Sequence, residues 1–257
     1  MLEKTVKRIL NADVYAAAVE TPLDVAALLS ARLGNKVWIK REDLQEVFSF
    51  KIRGAYNKMS SLSETQRSEG VICASAGNHA QGLAQAAKLM GVKATIVMPV
   101  TTPEIKIASV RSRGAKVVLF GDTFNQALTQ ALILEEERGL HFIHPFDDPE
   151  IIAGQGTVAM EILHQHSGAI DAIFIPVGGG GLIAGVAAYV KYVRPETKII
   201  GVEYEESACL AAAMAAGRRV TLKQVGIFAD GIAVAPPPSA WLSRKGVGTD
   251  DKPSWKA

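Results

Sequence analysis

At 257 residues, 48% of them hydrophobic, the chain can bury a sizeable core as one large domain or two modest ones. A net charge of +2 with no basic run excludes an electrostatic nucleic-acid partner, and no stretch of about 18 apolar residues is present to span a membrane. Cys73 and Cys209 lie far apart among apolar or small residues and read as reduced core thiols. The N-terminal MLEKTVKRILNADVY is charged and has no apolar h-region, so a soluble cytoplasmic protein is expected.

Along the chain, short β-branched runs alternate with Ala-rich helical segments. Thr21-Pro22 offers an N-cap with proline at the first helical position, opening a helix that ends near Gly34. Strands are expected at Lys36–Lys40, Val71–Ala74, Ala94–Met98, Lys116–Phe120, Ala172–Val177 and Lys198–Glu203. Helices are expected over Asn78–Met90, Pro103–Arg113 and Phe124–Arg138, each stopped by a glycine, and over Ile183–Val193. This alternation predicts an α/β fold with parallel strands and crossover helices. Turn residues cluster at His144-Pro145-Phe146-Asp147-Asp148-Pro149 and suggest a boundary. Pro236–Ala257 has neither a strand nor a helix period and reads as a disordered or poorly packed tail.

Three segments carry chemistry. In Ser49-Phe50-Lys51-Ile52-Arg53-Gly54-Ala55, Lys51 follows the apolar Val47-Phe48-Ser49-Phe50. A lysine at a helix head is ordinarily solvated, but an apolar pocket disfavours its charged form and suits a Schiff-base amine. In Ser75-Ala76-Gly77-Asn78-His79, between strand and helix, small residues let backbone N–H groups approach an anion such as a carboxylate. The plain alternative is an ordinary turn with Asn78 as cap and His79 as a structural residue. Gly178-Gly179-Gly180-Gly181-Leu182 sits between a strand and a helix. Fixing each glycine costs roughly 0.5–1 kcal/mol, which makes sense where several N–H groups must converge on a phosphate.

The same loop supports a rival. Gly179-x-Gly181-x-x-Ala184 with Glu203 ending the next strand matches a dinucleotide fingerprint, the mark of an NAD-dependent oxidoreductase. Gly154-x-Gly156-x-x-Ala159 matches too, but no strand precedes it. The pairs His141/His144 and His164/His166 lack the company of a metal site, so no metal is expected.

In this order along the chain, the three segments resemble the fold-type II pyridoxal-phosphate enzymes, and within them the biosynthetic threonine dehydratases (threonine ammonia-lyases). Lys40-Arg41-Glu42-Asp43-Leu44-Gln45 with Ser49 to Tyr56, Ala74 to Gly82, and Pro176 to Leu182 carry the likeness, which runs from about Val14 to Val234. The resemblance implies Lys51 as the cofactor lysine and base, Phe50 flanking the ring, and Asn78 on its 3′-hydroxyl. It places the phosphate on Gly178, Gly179, Gly180, Gly181 and Leu182, and the substrate carboxylate on Ser75, Ala76, Gly77, Asn78 and His79. It implies pyridoxal 5'-phosphate as cofactor, an amino-acid substrate, and a homo-oligomer, dimer or tetramer. The implied reaction converts L-threonine, or L-serine, to 2-oxobutanoate, or pyruvate, and ammonia, the first step towards isoleucine. Residues 1–53 and 147–235 would form a larger cofactor lobe, and 54–146 a smaller lobe with the carboxylate turn. Ala76 stands where serine racemases of this fold carry a serine, which speaks against racemisation. Ser239 and Ser243 sit in no context matching the serine that meets the pyridine nitrogen, so a truncated chain of reduced activity, or a non-catalytic remnant that binds cofactor, is expected.

Overall fold

The computed structural model describes residues 2–222, 225–226, 228–232 and 234. The segment Pro236–Ala257 lies outside the described residues. Contacts divide the chain into two units, one of residues up to 12, 144–157 and from 168 onwards, the other of residues 13–143 and 158–167. Residues 13–53 thus group with 54–143.

The second unit is built on four parallel strands in the order β5-β4-β3-β6: β3 (Val71–Ala74), β4 (Ala94–Met98), β5 (Lys116–Leu119) and β6 (His141–Phe142). β3 and β4 are buried throughout, which is why they read as unbroken apolar runs rather than alternating ones. On one face, Ile72, Ala74 and Val97 pack against Ala127, Ala131 and Leu134 of α7 (Phe124–Arg138). α5 (Asn78–Met90) contacts β3 and β4, and α3 (Lys51–Ser60) packs on α5. Thr123 opens α7 with a capping box to Gln126, and Ser63 does the same with Gln66 for α4 (Glu64–Glu69). Gly91 and Gly139 end α5 and α7 in the left-handed conformation, as their places in the sequence predict.

The start expected at Thr21-Pro22 is corrected. Leu23–Val25 forms β1, paired antiparallel with β2 (Trp38–Lys40), and α2 (Ala27–Leu33) begins later, without a side-chain cap. Thr21 caps no helix here: its hydroxyl donates to Glu42 Oε1 at 2.6 Å, while its carbonyl accepts from Lys40.

In the other unit, β7 (Ala172–Pro176) and β8 (Lys198–Val202) pair in parallel, joined by α9 (Gly181–Val193). α1 (Leu2–Leu10) packs on α9 and buries Val6 and Ile9. Arg8 donates to Glu150 at 2.9 Å, tying α1 to the start of α8 (Pro149–Gln165). Gly156, one of the glycines in the discarded fingerprint, lies within α8, where a Cβ would come 2.5 Å from Ile9 Cδ1. At Gly185 on α9, a Cβ would run into the Ile152 carbonyl and lie 2.7 Å from the Gly156 nitrogen. These glycines are helix-crossing contacts.

Gly185→Ala should therefore overpack this crossing and destabilise the protein by about 1–3 kcal/mol, read as a lowered urea midpoint. An unchanged midpoint would mean that the helices part without cost.

Candidate active site

Lys51 is the first residue of α3, and no side chain caps that helix. Before it, Val47 is fully buried, but Phe48 is 72% exposed and takes φ 57. A bulky residue in the left-handed region marks a sharp, strained turn. The apolar wall expected over Val47–Phe50 is thus made without Phe48, which the turn swings outwards. The Phe50 ring centroid lies 5.6 Å from the Lys51 amine. Burial lowers the Lys51 pKa to about 8, opposed by the Cys73 thiol of β3, whose own pKa burial raises.

Gly82 brings the second segment to the first. A Cβ there would lie 3.0 Å from the Lys51 carbonyl carbon and 3.2 Å from the Ile52 nitrogen, so α5 crosses directly over the backbone of the lysine. α5 and α3 are locked together at this point. Gly82 was quoted in the motif but given no role, and an isolated glycine inside a helical pattern is the signal that could have found it.

The turn itself follows β3. The Ser75 N–H donates to the Val97 carbonyl at 3.1 Å, and the Gly77 N–H donates to Ser75 Oγ at 3.2 Å. Gly77 is the N-cap of α5, Asn78 is exposed at its first position, and no side chain caps the helix. The His79 ring is buried, with Nε2 donating to the Ile143 carbonyl at 3.0 Å. A carbonyl only accepts, so Nε2 carries the proton and the ring is committed to the fold. Of His79, the backbone remains the candidate for anion binding.

In the other unit, the Val177 N–H donates to the Val202 carbonyl at 2.8 Å before the glycines begin. A Cβ at Gly178 would lie 2.9 Å from Ile232 Cα, one at Gly179 would enter the Phe146 ring, and one at Gly181 would lie 2.8 Å from the Phe146 carbonyl. Gly180 takes φ 84 as N-cap of α9, again without a side-chain cap. Each glycine has its own steric reason, and together they leave a helix N-terminus with no side chain over it, a cradle that fits a phosphate. Phe146 is braced in turn: His144 Nδ1 accepts the N–H of Asp147 at 2.8 Å, and the two rings meet edge to face at 4.7 Å. Sequence reading used Phe146 as a landmark only and missed its contact with the loop.

Glu203 settles the rival reading. Its carboxylate accepts the N–H groups of Leu210 at 2.9 Å and Ala211 at 2.8 Å, at the start of α10 (Cys209–Ala216). It is spent as a helix cap, where the dinucleotide reading needs it on a ribose. Among the described residues no group of His, Cys, Asp or Glu is placed to hold a metal, no helix is long and apolar enough to cross a membrane, and both cysteines are buried and unpaired.

The family model for pyridoxal-phosphate dependent enzymes matches residues 14–249. The chain belongs to that family. The match begins where the likeness was read and runs past Val234 into the segment set apart as a tail. A biosynthetic L-threonine dehydratase of Burkholderia multivorans is 60% identical over 231 residues, covering 89% of this chain and 46% of that protein. A chloroplastic biosynthetic threonine dehydratase of Arabidopsis thaliana is 60% identical over 226 residues, covering 88% and 38%. The chain spans less than half the length of these relatives. Among solved structures, the processed form of threonine deaminase isoform 2 from Solanum lycopersicum superposes with a TM-score of 0.90 at 54% identity, covering 93% of this chain and 69% of that one. Maize serine racemase follows at 0.85 and 34%, covering 90% and 70%. The fold is therefore the fold-type II α/β architecture of this family.

With its pKa near 8, the Lys51 amine is about half neutral at pH 8, whereas an ordinary lysine is almost wholly charged there. Competitive acetylation across pH, read by peptide mass mapping, should give Lys51 a midpoint about two units below the other lysines. A midpoint among the others would show that the amine stands in water.

Proposed function

We propose that this chain holds pyridoxal 5'-phosphate on Lys51 and eliminates the β-hydroxyl of L-threonine, with L-serine as a second substrate. The products are 2-oxobutanoate, or pyruvate, and ammonia, the first step towards isoleucine. The observation that carries this reading is the buried Lys51 amine, held near pKa 8 at an uncapped helix start. An amine with a substantial neutral fraction near its working pH is what both carbonyl capture and proton abstraction require. The identity to threonine dehydratases supplies the substrate.

When bound, pyridoxal phosphate supplies an electron sink that stabilises negative charge on the substrate Cα. The protein's part is alignment and proton transfer. Backbone N–H groups from Gly178 to Leu182 hold the phosphate at the start of α9, where the helix dipole favours an anion. Phe50 flanks the ring, and the Asn78 amide donates to its 3′-hydroxyl. The turn Ser75–His79 would hold the substrate carboxylate through the N–H groups of Ala76, Asn78 and His79 and the Ser75 hydroxyl, since the N–H groups of Ser75 and Gly77 are engaged within the fold, and would set the Cα–H bond towards Lys51 Nζ. Lys51 Nζ would accept that proton and return one to the β-hydroxyl, which leaves as water, and hydrolysis of the remaining C–N bond would release ammonia and the 2-oxo acid. Ala76 offers no proton donor on the opposite side of Cα, which favours elimination over racemisation. By the same family reading, the protein works in the cytoplasm as a dimer or tetramer.

Borohydride reduction with pyridoxal phosphate, followed by peptide mapping, should place a pyridoxyl group on Lys51, and threonine should yield 2-oxobutanoate. Lys51→Ala should lose both signals. An adduct without 2-oxobutanoate would overturn the lyase assignment while leaving cofactor binding in place.

Gly179→Ala drives a methyl into the Phe146 ring and should weaken retention of pyridoxal phosphate on dialysis by about tenfold or more, given the steepness of overpacking. Unchanged retention would remove the phosphate from this loop.

A further inference from the structure

We propose that Arg53 is a positioning residue for Lys51: clamped between Glu42 and Glu161, it fixes the rotation of α3 about its own axis and thereby aims the Lys51 amine. The proposal rests on the reading of Lys51 as the cofactor lysine.

On an α-helix, positions i and i+2 stand about 200° apart, so Arg53 and Lys51 leave α3 on opposite sides. Arg53 is wholly buried. Its Nε and Nη2 donate to Glu42 Oε2 and Oε1 at 2.8 and 2.7 Å, a bidentate grip on the 3-10 turn Glu42–Leu44. Its Nη1 and Nη2 donate to Glu161 Oε1 and Oε2 on α8, the latter at 2.9 Å, and Nη2 also reaches the Val19 carbonyl at 3.2 Å. Two carboxylates from two separate elements therefore fix the plane of one guanidinium. Lys40 of β2 pairs with Glu161 at 2.6 Å, so the cluster of Arg53, Lys40, Glu42 and Glu161 carries no net charge. Tyr15 also hydrogen-bonds Glu161; burial first, and the Glu161 charge second, push its phenol up to about 12.

A cluster of this kind is not explained by stability alone, because well-packed apolar residues commonly hold a helix as firmly as buried ion pairs do. What a planar fork with two bidentate partners adds is orientation. α3 needs it. Its first turn has no side-chain cap, and Phe50 before it is already helical, so no capping side chain fixes the rotation of the helix at its start. Gly82 of α5 lies against the Lys51 backbone and limits translation, but a contact at a missing side chain does not set rotation. Arg53 does. The Cys73 thiol acts on the amine, and the carboxylates that grip Arg53 lie on the opposite side of α3.

The test compares the parent with Arg53→Lys, which keeps the charge but not the fork, and with Glu42→Gln at the less buried end of the cluster. Each is checked for a cooperative urea transition. Two readouts follow, the pH midpoint of Lys51 acetylation in cofactor-free protein and the rate at which added pyridoxal phosphate becomes borohydride-trappable on Lys51. In folded Arg53→Lys the midpoint should rise by about one unit towards an ordinary lysine. The trapping rate should fall by about 10- to 100-fold, as for a displaced reacting group. Glu42→Gln should move both the same way by less. Folded variants with the parent's midpoint and trapping rate would overturn the proposal. If Arg53→Lys does not fold, Glu42→Gln decides alone by the same criterion. A parent that traps no cofactor on Lys51 overturns the reading of Lys51 instead, while the acetylation midpoint still judges Arg53.

Discussion

Taking an amine out of water is costly, and the second unit is arranged around one such amine. Lys51 stands where α3 meets β3 and α5, and the surrounding apolar side chains offer it little solvation in its charged form. Lys40 is compensated by the carboxylate of Glu161, whereas at Lys51 the effect of burial outweighs that of the Cys73 thiol. A lysine left in that state is poised to lose its proton, which is the condition for a nucleophilic amine and of no use to a structural one. On the opposite side of the same helix, Arg53 gathers the carboxylates of Glu42 and Glu161.

Close backbone approach is the second constraint, and both units meet it by the same means. Gly82 lets α5 cross the lysine, Gly156 and Gly185 let helices cross in the other unit, and Gly179 and Gly181 let the glycine loop lie against Phe146. Their freedom of φ is not the reason; only Gly180 of the glycine loop needs a left-handed conformation. This separates two meanings of a glycine-rich segment. The fingerprint around Gly154 and Gly156 matches in letters, yet it lies inside a helix and serves packing. The run Gly178–Gly181 serves packing too, but it does so at a helix start, where the space cleared of side chains faces backbone N–H groups rather than another helix.

Local signals made much of the fold legible. α5 runs over Asn78–Met90 as its alanines and the terminal Gly91 indicate, and β3 and β4 coincide with their apolar runs because both faces of a parallel sheet are covered. What sequence could not show was competition from distant partners. Thr21 has the chemistry of a cap, but its hydroxyl is taken by Glu42, so the helix begins later and a strand forms in between. Glu203 has the chemistry of a ribose ligand, but α10 claims it. α1 went unread because its charges dominate its short text, although Val6 and Ile9 share one face. The site was legible in its loops, where residue type and spacing carry the chemistry, and illegible in its supports.

Arg53 shows why supports escape. It sits two residues from the lysine, inside a segment that was read closely, and nothing local distinguishes it from a solvated arginine on a helix. Its partner Glu161 is 108 positions away. The trace lies at Glu161, a single charge in the apolar stretch Val158-Ala159-Met160-Glu161-Ile162-Leu163, whereas Arg53 shares Phe50–Ala55 with Lys51. A lone charge on an apolar face must either break the pattern or find its opposite, since burying it unpaired would cost more than the fold could bear. A charge isolated in this way calls for a buried partner of opposite sign. Arg53 is that partner for Glu161, and with it α3 is joined to α8.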